Sequence, residues 1–314
     1  MTIMMKANRV HRFGGPDVIT FEETPRPIPA TGEVLVRVHA AGVGPWDAWV
    51  RSGRSAIDQP LPLTLGSDLA GTVEAVGSTG SPFVPGDEIY GVTNPRFTGA
   101  NAEFAIAMAD MLALKPKRLS FVEAASIPVI AVTAWQMLFE HAGVGREERV
   151  LVHGGAGNVG AYAVQLARLA GAQVSATALP GDVDGVLRLG AERVLELGTP
   201  AATPFERSFD AIIDTVGGKT QSALFPLLKP GGAFVSSVSQ PDPELAQRHQ
   251  ARAIFFLVRV DSRALTTISE LLESGQLRPR VGTVLPLREA RRAHEMLDGL
   301  RPAGSGKIVL AAEI

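Results

Sequence analysis

Apolar and polar residues alternate through residues 33–40, Glu-Val-Leu-Val-Arg-Val-His-Ala, a spacing that puts Val34, Val36, Val38 and Ala40 on one face of a strand. Residues 71–77 repeat the pattern between two glycines, and Pro85-Gly86-Asp87 marks a turn ahead of Glu88-Ile89-Tyr90. Short strands at this spacing predict a compact, barrel-like β domain. The pattern changes near residue 120. Ser120 and Glu123 have capping-box spacing, in which the hydroxyl accepts an early helix N–H and the carboxylate reaches back. Helical sequence follows to about His141. Beyond it, strands at 149–153, 174–178 and 209–216 alternate with helices at 159–170 and 220–228, and Gly231-Gly232 turns into a strand at 233–237. This alternation predicts a parallel sheet covered by helices. Pro241-Asp242-Pro243 reads as a loop.

Between the first of these strands and its helix lies Gly155-Ala156-Gly157-Asn158-Val159-Gly160, a GxGxxG. With 33 glycines in the chain the pattern alone is weak, but its context is specific. An apolar strand precedes it, and Val159, Ala163, Leu166, Ala167 and Ala170 share one face of the helix that follows. Gly155 is expected to permit a tight turn, Gly157 to let a pyrophosphate approach the backbone, and Gly160 to let helix and strand pack closely. The backbone N–H groups at the helix start attract the phosphates. The second strand ends Ser175-Ala176-Thr177-Ala178, without the acid that usually binds the ribose of NAD, and no Arg or Lys follows to hold a 2′-phosphate. Thr177 is a candidate cofactor contact. Asp182 is either a ribose ligand or the N-cap of the next helix. NADP(H) is placed ahead of NAD(H), with both open.

Composition narrows the classes. At 314 residues the chain has room for two domains. Hydrophobic residues at 46% and charged residues at 20% suit a globular protein with a sizeable core and exclude disorder. A net charge of −2 gives no reason to expect nucleic acid or an anionic membrane as partner, and Arg288, Arg291 and Arg292 read as a solvated helix face. With no cysteine there is no disulfide and no thiolate zinc site. The uncharged stretch 124–139 falls short of the about 20 residues of a membrane span and reads as a buried helix. The N-terminal residues lack the apolar run of a signal peptide, which points to the cytoplasm.

The chain resembles the medium-chain dehydrogenase/reductase superfamily, in its zinc-free quinone oxidoreductase-like branch. The resemblance runs over almost the whole length. It rests on Ala41-Gly42-Val43-Gly44-Pro45-Trp46-Asp47, Arg51-Ser52-Gly53 and Leu65-Gly66-Ser67-Asp68-Leu69-Ala70-Gly71. It continues through Pro85-Gly86-Asp87-Glu88-Ile89-Tyr90-Gly91, Gly99-Ala100-Asn101-Ala102-Glu103-Phe104, Thr133-Ala134-Trp135, the fingerprint, and Gly306-Lys307-Ile308-Val309-Leu310. It implies an α/β protein with a Rossmann-type doubly wound parallel sheet plus a GroES-like, partly open β-barrel catalytic domain. Residues 1–123 and 262–314 would form the catalytic domain and 124–261 the Rossmann domain, with ligands held between them. Zinc-dependent relatives read Gly-His-Glu where this chain has Gly66-Ser67-Asp68, and they carry ligand cysteines. The six histidines here make no spaced ligand pair, and His153 and His294 take structural roles by default. Gly44 stands where quinone oxidoreductase relatives commonly have Asn.

Without zinc nothing polarises an unactivated ketone, so the expected acceptor is a quinone or an α,β-unsaturated carbonyl. By family position Thr133 would lie beside the nicotinamide, with Asp47, Trp49 and Arg51 lining or supporting the site. Asp47 and Arg51 could equally form a structural ion pair, and Trp46 and Trp49 could be core aromatics or a flat wall for a planar quinone. Tyr90 is a cleft candidate and Tyr162 a core residue. Val216, the last residue of the strand ending Asp214-Thr215-Val216, and Gly217 after it are expected near the ribose or nicotinamide, or Gly217 simply makes the turn. Two other readings stay open: a cofactor-binding redox sensor or structural protein without turnover, and a zinc-type alcohol dehydrogenase. A homodimer is a family-level expectation.

Overall fold

The computed structural model describes residues 2–197 and 206–312, so the chain ends and the stretch 198–205 within the expected Rossmann range lie outside the description. Two compact units emerge, Met1–Val129 with Val260–Ile314, and Ile130–Arg259. The first break comes later than residue 123 because the helix Phe121–Ala125 packs on the strands of the first unit, burying Ala124 and Ala125. Ser120 Oγ accepts the Glu123 N–H at 3.2 Å, and the Glu123 carboxylate accepts the Ser120 N–H at 2.8 Å. Helix does not continue unbroken to residue 141. Pro128, which has no N–H to give, starts a second helix, Pro128–Trp135, and the chain then widens into a π-helix over Gln136–Ala142.

In the first unit the strand Glu33–Val43 is the spine. It pairs antiparallel with Asp68–Val76 along one edge; along the other it pairs with Phe104–Met108 at its start and Lys307–Ala311 at its end. That last pairing is why the C-terminal segment belongs with the N-terminal one. Glu88–Val92, Leu112–Leu114 and Val281–Pro286 complete a seven-stranded sheet, and Ile19–Pro25, Met4–Val10 and Leu63–Thr64 form a smaller one. Val34, Val36 and Val38 enter one core as their alternation predicts, but Ala41 joins them in place of Ala40. The register explains the change: Val38 pairs with Gly71 and Ala40 with Ala70, so His39 is an extra residue that reverses the alternation.

The helix Pro45–Ser52 meets the C-terminal segment through Val50, which shares a core cluster with Leu287 and Ala290, and through Arg51. Arg51, 2% exposed, donates to the Gly14 carbonyl at 3.1 Å, to His294 Nδ1 at 3.0 Å and to Asp298 Oδ2 at 2.7 Å. Accepting from a permanent cation requires a neutral imidazole, and burial together with the Arg51 charge pushes His294 down to about 3.

The second unit carries a six-stranded, wholly parallel sheet. In chain order its strands are Arg149–His153, Gln173–Ala178, Arg193–Glu196, Phe209–Asp214, Leu228–Ser236 and Arg252–Phe255. In space they run third, second, first, fourth, fifth, sixth, the doubly wound order in which the connection reverses between the first and fourth strands. The helix Asn158–Leu169 is buried from Gly160 to Ala167 rather than along a single stripe. It packs on the sheet, on the helix Val183–Leu189 and on the π-helix. Gly231-Gly232 lie inside the fifth strand, and Asp242 caps the short helix Pro243–Arg248 where a loop was expected. Among the described residues no helix is long and apolar enough to cross a membrane.

Replacing Arg51 with Leu removes three hydrogen bonds, one buried and two part-buried, and should cost about 3 kcal/mol of stability, the low end for breaking a buried pair because Asp298 keeps some water. Urea denaturation measures it. The same method checks His294. The unfolded chain takes up a proton at His294 near pH 6.5, which the folded chain resists down to about pH 3. Its contribution to stability therefore falls as pH drops through that window, and His294→Asn should have a shallower acid limb than the parent.

Candidate functional site

The carboxyl ends of the first and fourth parallel strands carry two backbone turns. After Arg149–His153, Gly154 adopts φ +87°, the left-handed region that glycine alone enters freely. The tight turn expected at Gly155 is thus made one residue earlier. Gly155 has a different reason to lack a side chain: a Cβ there would stand 2.8 Å from the Ala176 Cβ and 3.2 Å from Val186. Gly160 allows the close packing expected of it, since a Cβ would lie 2.1 Å from the Gly154 carbonyl oxygen. At Gly157 the backbone is exposed, and a Cβ would meet only that same oxygen, at 3.3 Å.

Gly157 is also the N-cap of the helix Asn158–Leu169, and no side chain caps it. Ser120, Asp242 and Asp261 all cap their helices with side-chain oxygens. Asn158, Val159 and Gly160 therefore sit where a helix leaves its first N–H groups without internal partners. With Gly155 and Ala156 they outline a cradle, narrow because it is lined by backbone, and suited to a diphosphate.

Thr177 belongs to the turn itself. Its Oγ1 accepts the Gly154 N–H at 2.9 Å and its carbonyl accepts the Gly155 N–H at 2.9 Å. Its buried hydroxyl supports the cradle from within the protein. Asp182 stands at the N-cap of Val183–Leu189, half-buried, but its carboxylate accepts no capping bond.

The second turn follows Phe209–Asp214. Asp214, fully buried, accepts the N–H groups of Val216 at 3.1 Å and Gly217 at 2.9 Å through Oδ1. Its Oδ2 accepts from Gln221 Nε2 and Ser236 Oγ, both at 2.9 Å. Gly217 has φ +71°, and a Cβ would be 2.9 Å from Val238 and Ser239. Asp214 was missed from sequence; its one signal was an acid closing an apolar strand. Thr133, on the helix Pro128–Trp135, is buried.

In the first unit the candidates separate. Asp47 and Arg51 are not an ion pair. Asp47 Oδ2 accepts the Gly44 N–H at 2.7 Å at the start of its own helix, while Arg51 is committed to Gly14, His294 and Asp298. Burial raises Asp47 to about 7, partly offset by the Gly44 N–H and Lys307, and its Oδ1 is buried without a partner. Tyr90 is not a cleft residue. It is fully buried, its hydroxyl donates to the Leu265 carbonyl at 2.8 Å and accepts from Ser269 at 2.9 Å, and burial pushes its ionisation well upward. Trp49, 44% exposed, is the candidate open to a ligand.

Ser67 and Asp68 test whether a zinc would fit. Ser67 Oγ accepts the Trp46 indole N–H at 2.9 Å. Asp68 Oδ2 accepts from Lys307 Nζ at 2.9 Å, both side chains without solvent access, and Oδ1 accepts the Val129 N–H at 3.1 Å. Lys307 lies 4.0 Å from the centre of the Trp46 ring. A buried ammonium already balances the carboxylate, cysteine is absent from the chain, and the described residues hold no cluster of three His, Asp or Glu. This donor set does not suit zinc.

Residues 30–117 match the family model described as the alcohol dehydrogenase GroES-like domain, and 189–310 match that described as zinc-binding dehydrogenase. The quinone oxidoreductase of Sus scrofa is 34% identical over 326 residues, covering 98% of each chain. That of Homo sapiens is 32% identical, again over 98% of each. The solved quinone oxidoreductase from Coxiella burnetii superposes with a TM-score of 0.90 at 32% identity, covering 99% of this chain and 100% of that one.

Two glycine substitutions separate folding from binding. Gly160→Ala forces a carbon onto the Gly154 carbonyl and should lower the melting temperature. Gly157→Asp needs only a small shift away from the Gly154 carbonyl oxygen, but it sets a carboxylate against the phosphates and should weaken dinucleotide binding at least about 100-fold. Calorimetric titration beside a thermal melt checks both.

Proposed function

This chain belongs to the medium-chain dehydrogenase/reductase superfamily, in its quinone oxidoreductase-like branch, and we propose that it reduces quinones or α,β-unsaturated carbonyls without a metal. It is an NAD(P)H-dependent oxidoreductase acting on a small molecule. The observation that carries the reading is the cradle at 154–160, where an uncapped helix start and an exposed Gly157 backbone coincide at the reversal point of the sheet. The bound nicotinamide supplies the hydride.

The backbone at 155–160 holds the diphosphate and so fixes where the hydride is presented. Thr133 is proposed to contact the cofactor's reactive end, and Trp49 to offer an aromatic face to a planar acceptor. Arg51 serves indirectly, by anchoring the helix that carries Trp49. Charge developing on the acceptor oxygen calls for hydrogen-bond donors, and solvent can then supply the proton. The Asp68–Lys307 pair supports the metal-free reading: a carboxylate neutralised by a buried ammonium is a poor ligand for the Lewis acid that a saturated ketone would need. NADP(H) is proposed ahead of NAD(H) because the second strand ends in Ala178 without a carboxylate for the ribose hydroxyls.

Oxidation rates of NADPH and NADH with a panel of quinones, enones and saturated ketones test this. Turnover is expected with the first two acceptor classes, faster with NADPH, and unchanged by a strong zinc chelator. Activity confined to saturated ketones, or abolished by the chelator and restored by zinc, would overturn it.

A further inference from the structure

Beneath the two turns lies His153, 2% exposed, at the end of the first strand and paired in register with Asp214. Its Nδ1 lies 2.8 Å from Thr177 Oγ1, and its Nε2 lies 3.0 Å from Thr220 Oγ1. The directions of these bonds are fixed by what the threonines do elsewhere. Thr177 Oγ1 accepts the Gly154 N–H, and the nearest acceptor for its own proton is His153 Nδ1. Thr220 Oγ1 donates to the Gly217 carbonyl at 3.0 Å, which leaves it to accept from His153 Nε2. The chain then runs one way: Gly154 N–H to Thr177 hydroxyl to Nδ1, and Nε2–H to Thr220 hydroxyl to the Gly217 carbonyl. Each end is a glycine held at positive φ, one in each turn.

We infer that His153 is a positioning residue which, as the neutral Nε2–H tautomer, ties the phosphate turn at Gly154 to the turn at Gly217, so that dinucleotide affinity depends on its protonation state. The inference rests on the dinucleotide site proposed above. A second proton on the ring, at Nδ1, turns that nitrogen from acceptor to donor. The Thr177 hydroxyl then loses its acceptor, while its oxygen faces two donors, the ring and the Gly154 N–H. The surroundings favour the neutral ring. Burial pushes the histidine down from its ordinary value near 6.5, opposed by the Asp214 charge on the neighbouring strand. The other side chains bonded to the ring, Thr177 and Thr220, carry no charge.

Two measurements test it. In the ligand-free protein, long-range nitrogen–proton NMR spectra of 15N-histidine, assigned with His153→Asn, should show the Nε2–H tautomer at pH 7. A charged ring or the Nδ1–H tautomer would overturn the inference without touching the cofactor assignment. Binding of NADP+ and NAD+, both stable in acid, is then titrated from pH 8 to pH 5 for the parent, Thr177→Val, Thr220→Val and the double variant, with melts as folding controls. Each single variant should bind roughly three- to tenfold more weakly at pH 8. The double variant should be little worse than the weaker single, because either break interrupts the same chain. The parent's affinity should fall in acid more steeply than the variants'. Parallel pH profiles with additive losses would leave His153 a structural residue and sink the inference alone. Failure of the folded parent to bind either nucleotide would sink the dinucleotide site and this inference together.

Discussion

A carboxylate with no access to water has to find its partners inside the protein, and Asp68 finds two that set the layout of its unit. Lys307 brings an ammonium from the returning C-terminal strand, and the Val129 N–H brings the start of the helix that leads on into residues 130–259. Asp68 is thereby joined to chain 239 residues later and 61 residues later. Removing one member strands a charge in the interior, so a register of Lys307–Ala311 on Glu33–Val43 that separated the pair would be penalised. The same pair bears on the proposed chemistry, since a carboxylate already neutralised by an ammonium is a poor metal ligand. The proposed metal-free reading and the packing of the first unit thus both draw on this interaction.

Much of this was legible because it is written locally. Strand alternation, the Ser120–Glu123 box and the spacing of Gly155, Gly157 and Gly160 each lie within a few residues, and the structure realises them there. The departures also have local causes. His39 is an extra residue in one strand of a pair, and no single-strand pattern reveals a bulge that depends on the partner's register. Gly154 makes the turn expected at Gly155 because the motif records which glycines are needed, not whether a given one is needed for its φ or for its missing Cβ.

What stayed hidden are the side chains whose roles come from distant residues. Arg51 read as a site residue beside Asp47, yet its partners lie 37, 243 and 247 positions away in the sequence. Tyr90 has the composition of a cleft residue, but its hydroxyl is spent on Leu265, 175 residues on. Asp214 and Lys307 carried a faint signal as lone charges next to apolar strand sequence. Such a residue is either at the surface or tied to a buried partner, and the sequence does not name the partner.

The two turns of the parallel sheet also differ in the backbone donors they leave for the proposed diphosphate. At the fourth strand, the N–H groups of Val216 and Gly217 are turned inward to a fixed carboxylate, so a second negative group there would meet satisfied donors and the charge of Asp214. At the first strand, Thr177 takes only the N–H groups of Gly154 and Gly155, through a neutral hydroxyl and a carbonyl. The helix start beyond is left without the side-chain cap that Ser120, Asp242 and Asp261 provide elsewhere. Capping oxygens stabilise a helix by about 1 kcal/mol, so omitting one lowers stability unless something else accepts from those donors. A diphosphate, with several acceptor oxygens and negative charge at the positive end of the helix dipole, is the acceptor the arrangement fits. The proposed selection between the turns therefore needs no charged side chain in the cradle; it rests on which backbone donors the fold has already used.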